Sequence, residues 1–291
     1  LSVVGEAPAA FVLALDEIVP FDKDPRQAPN SEYARIKDSV RAQGIDQPLV
    51  VTRRPGAAHY VIAAGGNTRL KILRELFQET NEPRFAHVTC VYKPWRGEAD
   101  IVLAHLREND LRGGLIFLDK ARAVREARQL IETEEGTIGL TLTDLTEILR
   151  DRGYALSRTS LSHMDYVVDV LAARLPLALR GGLAHREVIK VRALERAASA
   201  LWADRVPAGN ESFDEVFTVL CRRYDGPDWD LLSLRQALEA EVADRLNQTV
   251  HAIRLALDAR LSGVVETALP CRDEDVEWWP EPEERKQLSL I

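Results

Sequence analysis

Along the first hundred residues the apolar positions change period several times. Short runs rich in Val, Ile, Tyr and Phe, namely "FVLAL" (Phe11–Leu15), "PLVVTRR" (Pro48–Arg54), "HYVIA" (His59–Ala63) and "HVTCVY" (His87–Tyr92), predict strands. Between and after them, residues 31–43, 67–78 and 98–109 carry apolar side chains at three- and four-residue spacing and predict helices. From about Leu118 onward the strand signal is gone and helical periodicity continues to the acidic end. The pattern divides the chain into an α+β region, 1–115, an all-α region, 116–200, and a helical C-terminal region, 201–291.

In the middle region, "LTLTDLTEILRDRGYALSRTSLSHMDYVVDVL" has the grammar of helix, turn, helix. Thr143 is placed to cap a first helix with Leu145, Ile148 and Leu149 inward, and Gly153 to end it. Ser157 is placed to cap a second helix with Leu161, Met164, Val167 and Val168 inward. In a DNA-binding helix-turn-helix the start of the second helix enters the major groove. Here that start would present Arg158, Thr159, Ser160, Ser162 and His163, types able to reach guanine edges or phosphates. Two packed helices joined by a Gly turn also occur in helical domains with no nucleic-acid role, and Asp165 and Asp169 on the second helix oppose DNA.

The C-terminal third shows one long stripe. After Ser233, a candidate N-cap, apolar residues fall at Leu234, Leu238, Val242, Leu246, Val250, Ile253, Leu257 and Leu261 before Gly263. A single helix over this stretch would run about 40 Å. It would serve as a dimer seam or fold back within a helical domain. Beyond it, "CRDEDVEWWPEPEERKQLSLI" reads as an acidic, Pro-interrupted tail carrying Trp278 and Trp279.

The net charge of −8 argues against nucleic acid only until it is mapped. Residues 1–112 hold fifteen acidic and fifteen basic groups, 113–200 twelve and thirteen, and 201–291 nineteen and ten. The excess is confined to the last third, and DNA contact depends on a local basic face. Cys90, Cys221 and Cys271 lack zinc-site spacing. No apolar run reaches bilayer-spanning length. The expectation is a cytoplasmic protein, without membrane contact.

One turn carries candidate chemistry. "AAGGNTRLKILREL" (Ala63–Leu76) joins a strand to a helix through Gly65 and Gly66, followed by Asn67, Thr68 and Arg69. Free N–H groups at a helix start, a close glycine backbone and an arginine fork make an anion site. The plainer alternative has Asn67 as N-cap and Arg69 in solvent.

In order along the chain, four stretches resemble the ParB family of partition proteins. "LALDEIVPFDKDPR" with "YARIKDSVRAQGIDQPLVV" is similar to the first box, an Arg-ending loop, a helix and a Gly-Ile-x-Gln-Pro turn. "GNTRLKI" resembles the second box, Gly-Glu-Arg-Arg-x-Arg-Ala, and "RENDLR" the Glu-Asn-x-x-Arg box. The Leu175–Pro176 step and the Gly182–Leu183 helix start match the cadence that follows the helix-turn-helix. The resemblance, which runs through most of residues 11–200, implies an α+β N-terminal ParB-like domain followed by an all-α helix-turn-helix domain; the stripe after Ser233 adds the expectation of a helical C-terminal region that dimerises. The resemblance implies a homodimer on a palindromic double-stranded DNA site, associated with nucleoid, plasmid or mobile element, with a partition ATPase as a further partner, in partition or transcriptional regulation. It also implies CTP with Mg: phosphates at Gly65, Gly66, Asn67, Thr68, Arg69 and Arg112, and the ion near Glu108 and Asn109. Asn67 and Thr68 stand where the family has Glu and Arg, so weak or absent CTP binding and no hydrolysis are expected. An enzyme of the same fold, a kinase or nuclease, is the alternative. No two-metal carboxylate cluster and no Cys in the Gly turn support it.

Overall fold

The computed structural model describes residues 10–26, 32–112, 114–205 and 212–268. The expected acidic tail, with Trp278, Trp279 and Cys271, lies outside them.

The α+β region contains a five-stranded sheet: β1 (Ala10–Ala14), β2 (Ile18–Val19), β3 (Leu49–Thr52), β4 (Tyr60–Ala64) and β5 (His87–Tyr92). Its order is β1-β5-β3-β4-β2. β1 and β5 run antiparallel with Leu13 opposite Val88, β3 and β5 run parallel, and β3 and β4 antiparallel. In β5 the alternation is complete at its start: His87 and Thr89 are exposed while Val88 and Cys90 are buried. That places one face against helices α1 (Tyr33–Gln43) and α2 (Asn67–Thr80), whose Val40, Leu70, Leu73 and Leu76 join Leu49, Val51, Ile62 and Cys90 in one core. The two-residue strand β2, too short to carry a periodic signal, pairs in parallel with β4.

Helix α3 (Glu98–Leu111) is buried on every side from Ile101 to Leu106, and it packs on β4 and along α4 (Phe117–Glu135). Helices α5 (Leu142–Asp151) and α6 (Arg158–Tyr166) follow, then a π turn (Val167–Leu171), α7 (Ala172–Arg174), α8 (Pro176–Arg180) and α9 (His185–Arg205). The first cap sits two residues earlier than the sequence suggests. Thr141, not Thr143, accepts the N–H of Asp144, and Asp144 reaches back to the Thr141 N–H. Only Thr141 has an acid three residues on, which closes the reciprocal box. Ser157 caps α6 as expected, accepting the Ser160 N–H at 3.1 Å.

By contact the described chain forms two compact units, one up to Val188 with Asp225–Trp229, the other from Ile189 with the remaining helices. Residues on both sides of the expected boundary at 115 therefore share one unit, because α3 lies along α4.

The second unit corrects the long stripe. It is two helices, α11 (Leu231–Leu246) and α12 (Val250–Ala268), preceded by α10 (Phe213–Arg223). Asn247 takes the left-handed conformation at φ 49° and ends α11, and Thr249 accepts the Ala252 N–H at the start of α12. Leu234, Leu238, Val242, Ile253 and Leu257 are thus buried inside one chain, whereas Leu246 and Leu261 are half-buried and Val250 is 40% exposed. The cap of α11 is Asp230 rather than Ser233, whose N–H and hydroxyl both donate to the Asp230 carboxylate. Gly263 does not stop α12, which runs on to Ala268. Among the described residues no helix is long and apolar enough to cross a membrane.

Candidate functional site

Gly65 (φ 45°) and Gly66 (φ 103°) turn the chain from β4 into α2, a path that L side chains resist. Gly66, not Asn67, is the N-cap, and the first intrahelical bond runs from the Leu70 N–H to the Gly66 carbonyl at 2.8 Å. The N–H groups of Asn67, Thr68 and Arg69 thus have no partner within the helix. They border a cleft of about 560 Å³ that also takes in Arg26, Arg35, Glu108, Asn109 and Arg112. The turn therefore brings together all eight residues expected there for nucleotide and ion.

Arg69 is not in solvent. Burial holds its guanidinium below the ordinary value, opposed by Glu108. One end donates to the Gln47 carbonyl at 3.1 Å while Nε is buried without a partner. A desolvated cation with an unfilled donor suits an oxyanion. Glu108 leans over Gly65 so closely that a Cβ there would lie 1.5 Å from its carboxylate, and it pairs with Arg112 at 2.6 Å.

Asn67 does different work from a phosphate ligand. Its amide accepts the Phe21 N–H (3.0 Å) and donates to the Phe21 carbonyl (3.0 Å) and the Asp24 carboxylate (2.8 Å). Asp24 in turn accepts the Arg26 N–H at 3.0 Å. Phe21 stacks on His105 with ring centroids 5.0 Å apart. The 21–26 loop is thereby tied across one wall of the cleft, carrying Arg26 with it. Arg26, Arg35 and His105 were missed as site residues from sequence alone. Only the "DKDPR" stretch marked the loop, and a contact 46 residues away leaves no local spacing to read.

The phosphate half of the expected ligand fits these residues: three free N–H groups, an unfilled Arg69 donor and further arginines. The ion half fits less well. Glu108 is engaged by Arg112 and Asp24 by Asn67, and among the described residues no three His, Cys, Asp or Glu side chains gather as a metal site. A hard divalent ion here would take most of its shell from phosphates and water.

His105 is buried, with Nε2 3.3 Å from the Ile62 carbonyl, and burial lowers its pKa from 6.5 against the pull of Asp24 and Glu108. His185 is lowered likewise by burial and by Lys120. Because the unfolded chain binds these protons first, the first unit should lose stability as pH falls below about 6.5, until the folded pKa values are passed. Urea melts between pH 7.5 and 5 check this. His105→Gln should flatten the slope, and an unchanged slope would remove His105 from the explanation.

At the start of α6, Arg158 and Thr159 are exposed, Ser160 is bonded to Ser157 and half-buried, and Ser162 is half-buried. His163 is not on the outward face. Its Nδ1 lies 3.0 Å from His185 Nε2, and the His185 ring stacks on Phe117 at 4.5 Å. Position 163 sits one turn before the fully buried Val167, which turns it inward. Asp165 and Asp169 are both held by Arg125 of α4, Asp165 at 2.9 Å, and the pairing lowers the Asp169 carboxyl.

Similar solved structures place this architecture. The C2221 form of a pNOB8-like ParB N-domain superposes with a TM-score of 0.51 at 14% identity, covering 81% of this chain and 95% of that one. The fold is that of the ParB N-domain. A second pNOB8-like ParB N-domain structure gives 0.50 at 13% identity, covering 88% and 96%. A C-terminally truncated Caulobacter crescentus ParB complexed with CTP-γ-S aligns over 63% of this chain and 97% of its own at 18% identity, with a TM-score of only 0.30. No protein-family model and no curated protein matches the sequence. In this ParB-type fold the Gly65–Gly66 turn lies at the C-terminal end of β4, opposite Glu108 on α3.

Proposed function

We propose that this chain is a DNA-binding protein of ParB type, acting in partition or transcriptional regulation as a two-fold dimer on a palindromic site. The observation that carries the reading is the state of α6. Its capped N-terminus exposes Arg158 and Thr159, while the two acids that would repel a duplex are paired from behind by Arg125, with Arg128 a second cation 4.0 Å from Asp165. A helix presented this way leaves a cation at its groove end and no unpaired carboxylate on the same helix.

Arg158→Ala should lower affinity for the preferred site by about 1 to 3 kcal/mol with little effect on random DNA, and should leave thermal melting unchanged. Selection from random duplexes followed by competition binding is the test. Equal losses on both DNAs would make Arg158 a phosphate contact, and no enriched sequence would sink the DNA reading.

The cleft is the place for a nucleotide phosphate group. Arg69, Arg26 and the amides of Asn67 to Arg69 would hold and neutralise it, with Arg112 released from Glu108. A bound nucleotide would supply charge to draw these elements together. With the second-box Glu and Arg replaced, binding should be about a hundredfold weaker than a micromolar site, so a dissociation constant of about 100 μM or more is expected, without hydrolysis. Calorimetric titration with CTP, ATP and GTP in Mg²⁺ measures this. Micromolar CTP binding lost in Arg69→Ala would instead make the cleft a working nucleotide switch.

A further inference from the structure

A second cleft, of about 160 Å³, opens at the other end of the same unit. It lies where β3 and β5 both end, between Thr52, Lys93, Arg96, Arg107 and the C-terminus of α5 at Arg152. Thr52, the last residue of β3, is 2% exposed, and its hydroxyl has no hydrogen-bond partner. A buried hydroxyl is costly to leave unpaired, and native structures seldom do so without a bound group to meet it.

We propose that this cleft binds a small phosphate-type oxyanion. Three features agree. The Thr52 hydroxyl is a donor in need of an acceptor. Lys93 and Arg96 at the mouth are exposed cations with no ion pair to any described residue, while Arg107 spends one nitrogen on the Arg152 carbonyl at 2.7 Å and keeps its charge. Of the two acids on the wall, Asp100 is already committed to Arg152 at 3.2 Å, and Asp151 is the remaining counter-charge, so the balance is positive. The volume is well below the roughly 300 Å³ at which sites for larger organic ligands begin, and it exceeds the roughly 30 Å³ share of one water, which selects a single compact anion over a nucleotide. The Ala99 amide at the start of α3 is not part of this site, because Glu134 already accepts its N–H at 3.1 Å.

The phosphate could be free or belong to a duplex backbone, since Arg152 leads directly into the turn before α6. The free-anion form of the proposal does not depend on DNA binding. Amide spectra of the labelled full chain, titrated with inorganic phosphate and with sodium chloride at matched ionic strength, test it. Phosphate should shift Thr52, Arg96 and Gly97 saturably and chloride should not. Thr52→Val and, separately, the exposed Lys93→Ala should each weaken the effect about tenfold, as for one charge-assisted hydrogen bond. A short duplex that produces the same shifts assigns the phosphate to DNA, and one that moves only Arg158 to Ser162 assigns it to the free ion. Equal shifts with chloride, shifts confined to Gly65–Arg69, or a Thr52→Val protein with unchanged affinity would overturn the proposal and leave water in the cleft.

Discussion

Asn67→Glu, which puts the family's residue back into the second box, should destabilise the first unit by about 2 to 5 kcal/mol instead of restoring a nucleotide site. The Asn67 amide donates twice, to the Phe21 carbonyl and the Asp24 carboxylate, and a carboxylate can donate to neither. Phe21 is buried, so its carbonyl would lose its partner away from water, and the new charge would face Asp24. The shorter Asn67→Asp keeps the shape and isolates the lost donations, so it should cost nearly as much at pH 7 and less near pH 4, where a carboxyl regains a proton to donate. Denaturant melts at both pH values read this directly. An Asn67→Glu protein as stable as the parent, with tighter CTP binding, would mean that the 21–26 loop is not held by Asn67.

Removing both arginines around Glu239 should cost the second unit about 3 to 5 kcal/mol. Glu239 is 1% exposed on α11 and accepts from Arg235 at 2.8 Å and Arg254 at 2.9 Å, the second reaching across from α12. Its charge is tolerable only while both cations stay. Arg235→Met with Arg254→Met strands a buried carboxylate, whereas the triple change that adds Glu239→Met should return close to the parent stability, because the Coulombic gain and the desolvation cost are lost together. If the double variant melts like the parent, Glu239 is solvated in the native state. Arg235 also pairs with Asp258 at 2.5 Å, a partner that remains exposed and adds little to the loss.

The periodicity of "HVTCVY", the glycine pair before Asn67 and the Ser157 cap could be read directly, because strand alternation, positive φ and capping are set within a few residues. The joining of Gly65, Arg69, Glu108 and Arg112 at one cleft was legible only through the resemblance to ParB boxes, not from spacing. What the chain order concealed was decided by packing. His163 follows the buried Val167 inward, the 234–261 stripe breaks where Asn247 can turn left-handed, and Asn67 serves a loop 46 residues away instead of a ligand. The unpaired Thr52 hydroxyl has no trace in sequence at all. A threonine ending a strand is ordinary, and only the surrounding fold determines whether its donor meets water, protein or an empty cleft.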